Sequence, residues 1–309
     1  MAEISVLQAG SSFSIEQAIR TAAAAFNDHG LSFGHGTDDA IAEASWLIQF
    51  ALGRSPLDVP NYPEILTDAA RADCNAVLVR RIAERIPAAY ITGTAWFAGL
   101  AFRSDQRALV PRSPLAEFIL EDFFGLLPVG EPVRVLDLCT GGGCIAIACA
   151  TALPQARVDA SDLSTDALEL AALNVADHGL GNRVSLIHSN LFDNITDQYD
   201  LIISNPPYVD KADIESMGTE FEHEPLMGLA AGDDGLDLVR EMLFAAPNYL
   251  TDQGVLVVEV GNSAQAVERE YPDIEFEWLE FENGGMGVFA IRNQVLRQHH
   301  TALAANRRA

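Results

Sequence analysis

The sequence predicts an α/β protein: a doubly wound, mostly parallel sheet of seven strands, preceded by a small helical domain. Three observations carry that prediction. Apolar runs at 133–138, 156–160, 183–187, 200–204 and 254–260 alternate with helical stretches at about 144–153, 164–178, 235–249 and 262–270. Parallel strands joined by crossover helices read this way in sequence. Two further strand-like segments, 274–279 and 286–291, flank Asn283-Gly284-Gly285 and suit a hairpin at the sheet edge. The first 88 residues, by contrast, show helical periodicity.

Taken in order, Ser14-Ile15-Glu16-Gln17 has the form of a capping box, with Ile15, Ile19, Ala22 and Phe26 on one face and Gly30 as a stop. The spacing predicts a second helix from Thr37 to Gly53 that buries Ile41, Ala44, Ile48 and Leu52. Pro56, Pro60 and Pro63 mark a connection. A third helix, Thr67 to about Ile86, carries Cys74, Val77, Leu78 and Ile82 on one side before Pro87 ends it. Residues 1–88 therefore form one helical domain. Residues 89–110 switch to strand formers broken by Gly93 and Gly99, a β-hairpin connector. The sheet domain follows over 111–292, and the polar, basic residues 293–309 are expected to fray as a tail.

A chain of 309 residues is long enough for two domains and for a core that needs no disulfide or structural metal. Cys139, Cys144 and Cys149 recur five residues apart, which suits no zinc site. With Cys74 they read as small buried hydrophobes in a reducing compartment. No two histidines stand i, i+4, so no metal is expected. The longest nearly apolar run, around Ile145 to Leu153, is about half of what a bilayer span needs. The opening MAEISVLQAGSSFS lacks the basic start and apolar core of a secretory signal. These features predict a cytoplasmic protein without membrane contact. The formal charge is −25, from 44 acidic and 19 basic side chains, and Lys211 is the one lysine. Such a surface repels phosphate backbones and forgoes the counterion release that drives nucleic-acid binding; it favours a basic partner.

Four segments carry chemistry. The first, Val135-Leu136-Asp137-Leu138-Cys139-Thr140-Gly141-Gly142-Gly143, is a buried strand running into a glycine turn and then a helix. Glycines let a ligand approach the backbone, and a helix amino end supplies N–H groups. Gly141-x-Gly143-x-x-Ala146 also satisfies the dinucleotide fingerprint, so NAD and other adenosine cofactors both fit. The second is Asp162, about 20 residues further on, placed to accept from ribose hydroxyls of either cofactor, while Ser164 can cap the next helix. In the third, Ser189-Asn190-Leu191-Phe192, Asn190 can accept from an adenine amino group and the Leu191 N–H can reach a ring nitrogen. A plain turn would look the same.

The fourth segment, Tyr199 to Tyr208, is an apolar strand ending in Asn205-Pro206-Pro207-Tyr208. Ligands of doubly wound sheets bind beyond the carboxyl ends of the strands. Prolines fix the backbone and leave carbonyls without regular partners. Asn205 Oδ1 and the Pro206 carbonyl can then accept from one NH2 group, with Tyr208 as a flat wall against it. The ligand is a planar –NH2, in a carboxamide or a base. An NAD-dependent dehydrogenase would leave these four residues without a task.

DLCTGGG, Asp162 and Asn205-Pro206-Pro207-Tyr208, in this order, resemble class I S-adenosylmethionine-dependent methyltransferases of planar amino groups, which have a Rossmann-like sheet. The helical front domain, the stretch from Arg85 to Gly93 and Leu109-Val110-Pro111-Arg112 are similar to protein-glutamine N5-methyltransferases. The likeness continues through Glu224-Pro225, Asp234-Gly235-Leu236 and Glu259-Val260-Gly261. Val110-Pro111-Arg112-Ser113-Pro114 and Cys139 resemble the branch that modifies the third protein of the large ribosomal subunit. The release-factor branch usually has Pro-Arg-Pro-x-Thr-Glu and glycine there, and Asn190 stands where aspartate is common in the family.

The resemblance implies S-adenosylmethionine as methyl donor, held by Asp137, Cys139, Thr140, Gly141, Gly142, Gly143, Asp162, Asn190, Leu191 and Asn205. It implies Asn205, Pro206 and Tyr208 as the catalytic set, with Pro207 and Arg112 beside them on the glutamine. The expected substrate is a basic ribosomal protein of the large subunit, docked by the helical domain, without direct nucleic-acid contact. Two alternatives fit the same residues: the glutamine of a peptide chain release factor, and a flipped adenine in nucleic acid. The −25 charge opposes the second.

Overall fold

Local capping frames the helical part of the computed structural model, which describes residues 4–128 and 131–306. Helix α1 (Ile15–Asp28) begins on the capping box: the Gln17 N–H donates to Ser14 Oγ at 3.2 Å, and the Ser14 N–H donates to Gln17 Oε1 at 2.9 Å. Helix α2 (Ala40–Ala51) starts three residues later than predicted, because Asp39 caps it by accepting from the N–H groups of Ile41 and Ala42. In that phase Ile41, predicted to be buried, is exposed, and Glu43 enters the interior beside Ala44, Leu47 and Ile48. Glu43 is tolerated there because the fully buried Arg81, on α3 (Asp68–Glu84), donates to it at 2.7 Å. Arg81 also reaches Glu220 at 3.1 Å. Helix α4 (Ala88–Thr92) occupies the start of the predicted connector and ends at Gly93, whose φ of 69° is left-handed. Strands β1 (Thr94–Phe97) and β2 (Leu100–Arg103) then pair as a two-stranded sheet.

The chain divides into two compact units. The helical unit comprises the residues up to Ala95, Ser104–Gln106 and Gly218–Glu224; the sheet unit comprises Trp96–Arg103, Arg107–Met217 and the chain from Pro225 on. Seven residues from late in the chain thus belong to the helical unit, Glu220 among them.

In the sheet unit, α5 (Leu115–Leu120) precedes β3 (Arg134–Leu138), α6 (Cys144–Ala152), β4 (Arg157–Asp162), α7 (Thr165–Asp177), β5 (Val184–His188) and β6 (Tyr199–Ser204). After α8 (Lys211–Ser216) and α9 (Asp237–Ala245) come β7 (Leu250–Glu259), α10 (Ala264–Glu270), β8 (Glu277–Trp278) and β9 (Val288–Arg292). The sheet order is β5-β4-β3-β6-β7-β9-β8, with β9 antiparallel to both neighbours and the other pairs parallel.

Successive strand residues point to opposite faces. Val135, Leu201, Ile203, Val255 and Val257 pack on one face with α5 and α6, and Leu136, Ile202, Leu256 and Val258 pack on the other with α9 and α10. Burial on both faces explains why the sequence shows continuous apolar runs instead of alternation. The chain enters the sheet at β3, builds outward to β5 and returns to β6 beside β3. That reversal is the switch point where doubly wound sheets open a crevice.

The expected frayed tail is instead helical as far as it is described: α11 (Asn293–Gln298) and α12 (His300–Ala305) bury Leu296 and Leu303 against the α9 face, while residues 307–309 lie outside the described residues. Polar composition hid two well-spaced leucines. Among the described residues, no helix is long and apolar enough to cross a membrane. Leu303→Ala should lower unfolding free energy by about 2–5 kcal/mol in chemical denaturation, as for a core leucine; a loss near zero would mean that α12 is not part of the fold.

Candidate active site

Register brings the predicted segments to one edge. Leu138 pairs with Ser161 on β4 and with Ser204 on β6, and Ser204 pairs with Val258 on β7. Cys139, Asp162, Asn205 and Glu259 therefore sit at the carboxyl ends of four adjacent strands. Ser204 Oγ donates to the Leu138 carbonyl at 2.7 Å and ties the central pair where the two loops diverge.

The glycine turn is wound by left-handed backbone at Cys139 (φ 59°), Gly141 (φ 55°) and Gly143 (φ 82°). Gly143 has a second reason to lack a side chain: a Cβ there would come within 3.2 Å of the Ala171 Cβ on α7. Beneath the turn, Asp137 is fully buried; its Oδ2 accepts from Thr140 Oγ1 at 2.5 Å and from the Ala146 N–H at 3.0 Å. Its Oδ1 has no hydrogen-bond partner. Burial pushes the Asp137 carboxyl up to about 7, against the opposing effect of its two hydrogen bonds. Asp162 braces the turn as well, accepting from the Gly141 N–H and the Ser164 N–H, each at 2.8 Å. Burial raises its carboxyl too. Burial likewise raises the Cys139 and Cys144 thiols, which keeps them protonated and unreactive.

Past β5, Asn190 is exposed and Leu191 is half-buried with a left-handed φ of 47°. Ser189 Oγ donates to the Leu191 carbonyl at 2.8 Å and holds that turn. Past β6, Pro206 and Pro207 are buried while Asn205 and Tyr208 are half-buried. Among the described residues nothing hydrogen-bonds the Asn205 side chain.

Tyr208 is held from several sides. Its hydroxyl donates to Glu259 Oε1 at 2.9 Å, and its carbonyl accepts from Ser263 Oγ at 3.2 Å. Ser113 Oγ donates to the other Glu259 oxygen at 2.5 Å. Burial raises the Glu259 carboxyl, and the Arg112 guanidinium works in the opposite direction on both Glu259 and Tyr208. Sequence reasoning placed Arg112 and Tyr208 here but assigned nothing to Glu259, Ser113 or Gly261. The available signal was an acid inside the apolar run 254–260, where the pattern asks for a hydrophobe.

Comparison with known proteins follows the same division. The pattern of the PrmC N-terminal domain matches residues 17–93, and that of the methyltransferase small domain matches 123–224. Ribosomal protein uL3 glutamine methyltransferase of Xanthomonas campestris pv. campestris is 48% identical over 284 residues, covering 91% of this chain and 92% of that protein. The enzyme of the same name from Xylella fastidiosa is 46% identical, covering 93% and 92%. The chain belongs to this family of protein-glutamine methyltransferases. Among solved structures, the human Mettl16 catalytic domain bound to a MAT2A 3′UTR hairpin has a TM-score of 0.50 at 16% identity, over 75% of this chain and 85% of that one. At that identity the likeness concerns the fold alone. The expected seven-stranded class I methyltransferase architecture is the observed one.

The raised Asp137 carboxyl yields a stability test. Its folded pKa lies above the usual unfolded value of about 4, so its burial costs more stability as pH rises through the window from about 4 to about 7. Asp137→Asn removes that titration. The wild type should lose stability relative to the variant between pH 4.5 and 7.5 in denaturant titrations; parallel pH curves would show that Asp137 titrates normally.

Proposed function

We propose that this methyltransferase uses S-adenosylmethionine to methylate the side-chain amide nitrogen of a glutamine in ribosomal protein uL3, in the cytoplasm. The observation that carries the acceptor reading is the half-buried Asn205 amide, without a hydrogen-bond partner, next to the Pro206 carbonyl and across the switch point from the glycine turn. Close relatives named for uL3 support the substrate. The −25 charge suits a basic ribosomal protein better than nucleic acid, which disfavours an adenine acceptor.

The residues present fit the donor. S-adenosylmethionine is a sulfonium with an α-ammonium group, and it supplies an electrophilic methyl carbon when bound. Asp137 keeps an unpartnered buried oxygen. Asp162 has one backbone donor on each oxygen, which leaves acceptor capacity for ribose hydroxyls. Cys139, Thr140 and Gly141 to Gly143 form the turn that a ligand approaches, and Asn190 and Leu191 lie where the adenine would end. No metal ligand set is involved in this assignment.

An amide nitrogen is a poor nucleophile because its lone pair is delocalised into the carbonyl. Asn205 Oδ1 and the Pro206 carbonyl accept the two amide hydrogens and so turn the lone pair toward the donor. As positive charge grows on nitrogen, the same two acceptors bind it more strongly, so they stabilise the transition state more than the ground state. The nitrogen then gives up one of its hydrogens as a proton to leave the neutral N-methyl amide. Pro206 and Pro207 keep the acceptors rigid, and Tyr208 confines the planar amide. Arg112, whose charge acts on Tyr208 and Glu259, completes the substrate side. The helical unit docks the rest of the protein.

Asn205→Ala should cut turnover on the order of 10²–10³-fold, like the loss of one preorganised charge-stabilising group. Asp162→Ala should mainly weaken donor binding, by about 1.5–3 kcal/mol. Calorimetric titration with S-adenosylmethionine, followed by timed methylation of purified uL3 and mapping of the modified residue, checks both. Normal turnover in Asn205→Ala would remove that residue from the site.

A further inference from the structure

The acceptor chemistry above leaves Glu259 without a role, although it is the most enclosed charged group at this end of β7. It is 4% exposed and takes one hydroxyl on each oxygen, Tyr208 at 2.9 Å and Ser113 at 2.5 Å. Both donors are neutral, and the Arg112 guanidinium offsets part of the charge through space. Burying a carboxylate whose hydrogen bonds come from hydroxyls costs stability, and a neutral side chain of similar volume would cost less. The arrangement needs another reason.

That reason is visible in Tyr208. Its ring lies directly on the backbone of Gly261, where a Cβ would come within 2.6 Å of Cε2 and 3.0 Å of Cζ. Only a residue without a side chain allows the approach. One face of the ring is therefore set by Gly261 and its far end by Glu259. A tyrosine has two rotatable side-chain torsions, and these two constraints settle both.

We infer that Glu259 is a positioning residue for methyl transfer, which locks Tyr208 so that the free side of its ring forms the wall against the glutamine amide. Ser113 fastens the same carboxylate to the segment carrying Arg112, so the wall and that segment share one anchor. The inference rests on the reading of Asn205-Pro206-Pro207-Tyr208 as the amide site. A wall that swings loose lets the planar amide tilt, and small misalignments in a transfer reaction are expensive in rate.

Steady-state kinetics with purified uL3 test the anchor. Tyr208→Phe and Glu259→Ala should each lower kcat on the order of tenfold or more, with KM for uL3 and Kd for the donor changing by less than about twofold. Because both remove the same bond, the double variant should be no slower than the slower single one. Glu259→Gln keeps an acceptor oxygen for the tyrosine and should recover most of the loss; it also serves if the alanine variant does not fold, as thermal melting will show. Losses that multiply in the double variant, or a glutamine variant as slow as Tyr208→Phe, overturn the inference. A wild-type protein that methylates no glutamine at all would instead overturn the reading of the site, and the inference with it.

Discussion

The active site depends on one registration: Leu138 at the end of β3 lies beside Ser204 at the end of β6. The chain arrives at these neighbours from opposite sides of the sheet, so the loops that follow them must part. The glycine turn leads back over β4, and Asn205-Pro206-Pro207-Tyr208 leads toward β7. A slip of one residue on either strand would send Leu136 or Ile202 into the face where Val135 or Ile203 now pack and mismatch both cores. Core packing, with the Ser204 hydroxyl on the Leu138 carbonyl, therefore fixes the spacing of the glycine turn and the diproline corner.

Charge is handled differently in the two units. In the helical unit, Glu43 and Glu220 meet Arg81, and Glu220 also meets Arg85 at 3.2 Å. At the sheet edge, Asp137, Asp162 and Glu259 are bonded by backbone N–H groups and hydroxyls. Burial raises all three carboxyls. Neutral donors satisfy the geometry of a carboxylate without compensating its charge, so each of the three is protonated more readily than an exposed acid, and a cation bound beside them would draw them back to the ionised form.

What could be foreseen was what short-range chemistry decides. Glycines and prolines dictate their own backbone, so the turn at Gly141 to Gly143 and the corner at Pro206-Pro207 were legible as loops closing two strands, and the strand–helix alternation gave the sheet. The capping box at Ser14 worked for the same reason. Misreadings came where a distant partner decides. Ile41 was expected inside and Glu43 was not; Arg81, 38 positions away, explains the burial of Glu43. Glu259 stood in a motif but acquired a task only when Tyr208 and Ser113 came within reach. The last helices were missed because two leucines among polar residues carry little pattern without the α9 face they cover.

The segment Gly218–Glu224 bears on why a helical unit accompanies this methyltransferase at all. It comes from the stretch that leaves the acceptor corner at Tyr208 and returns to the sheet unit at Pro225, yet it is built into the helical unit. Glu220 Oε1 there accepts from Arg81, from Arg85 and from the Ser32 N–H, and the Glu84 carbonyl lies 2.8 Å from His223 Nε2. Without the helical unit, a nearly fully buried glutamate would lose every one of those donors, and the stretch beyond Tyr208 would lose its midpoint. A helical unit that only docked substrate could be exchanged or removed at the cost of affinity alone. One that also holds part of the stretch between Tyr208 and Pro225 cannot be removed without unseating that stretch.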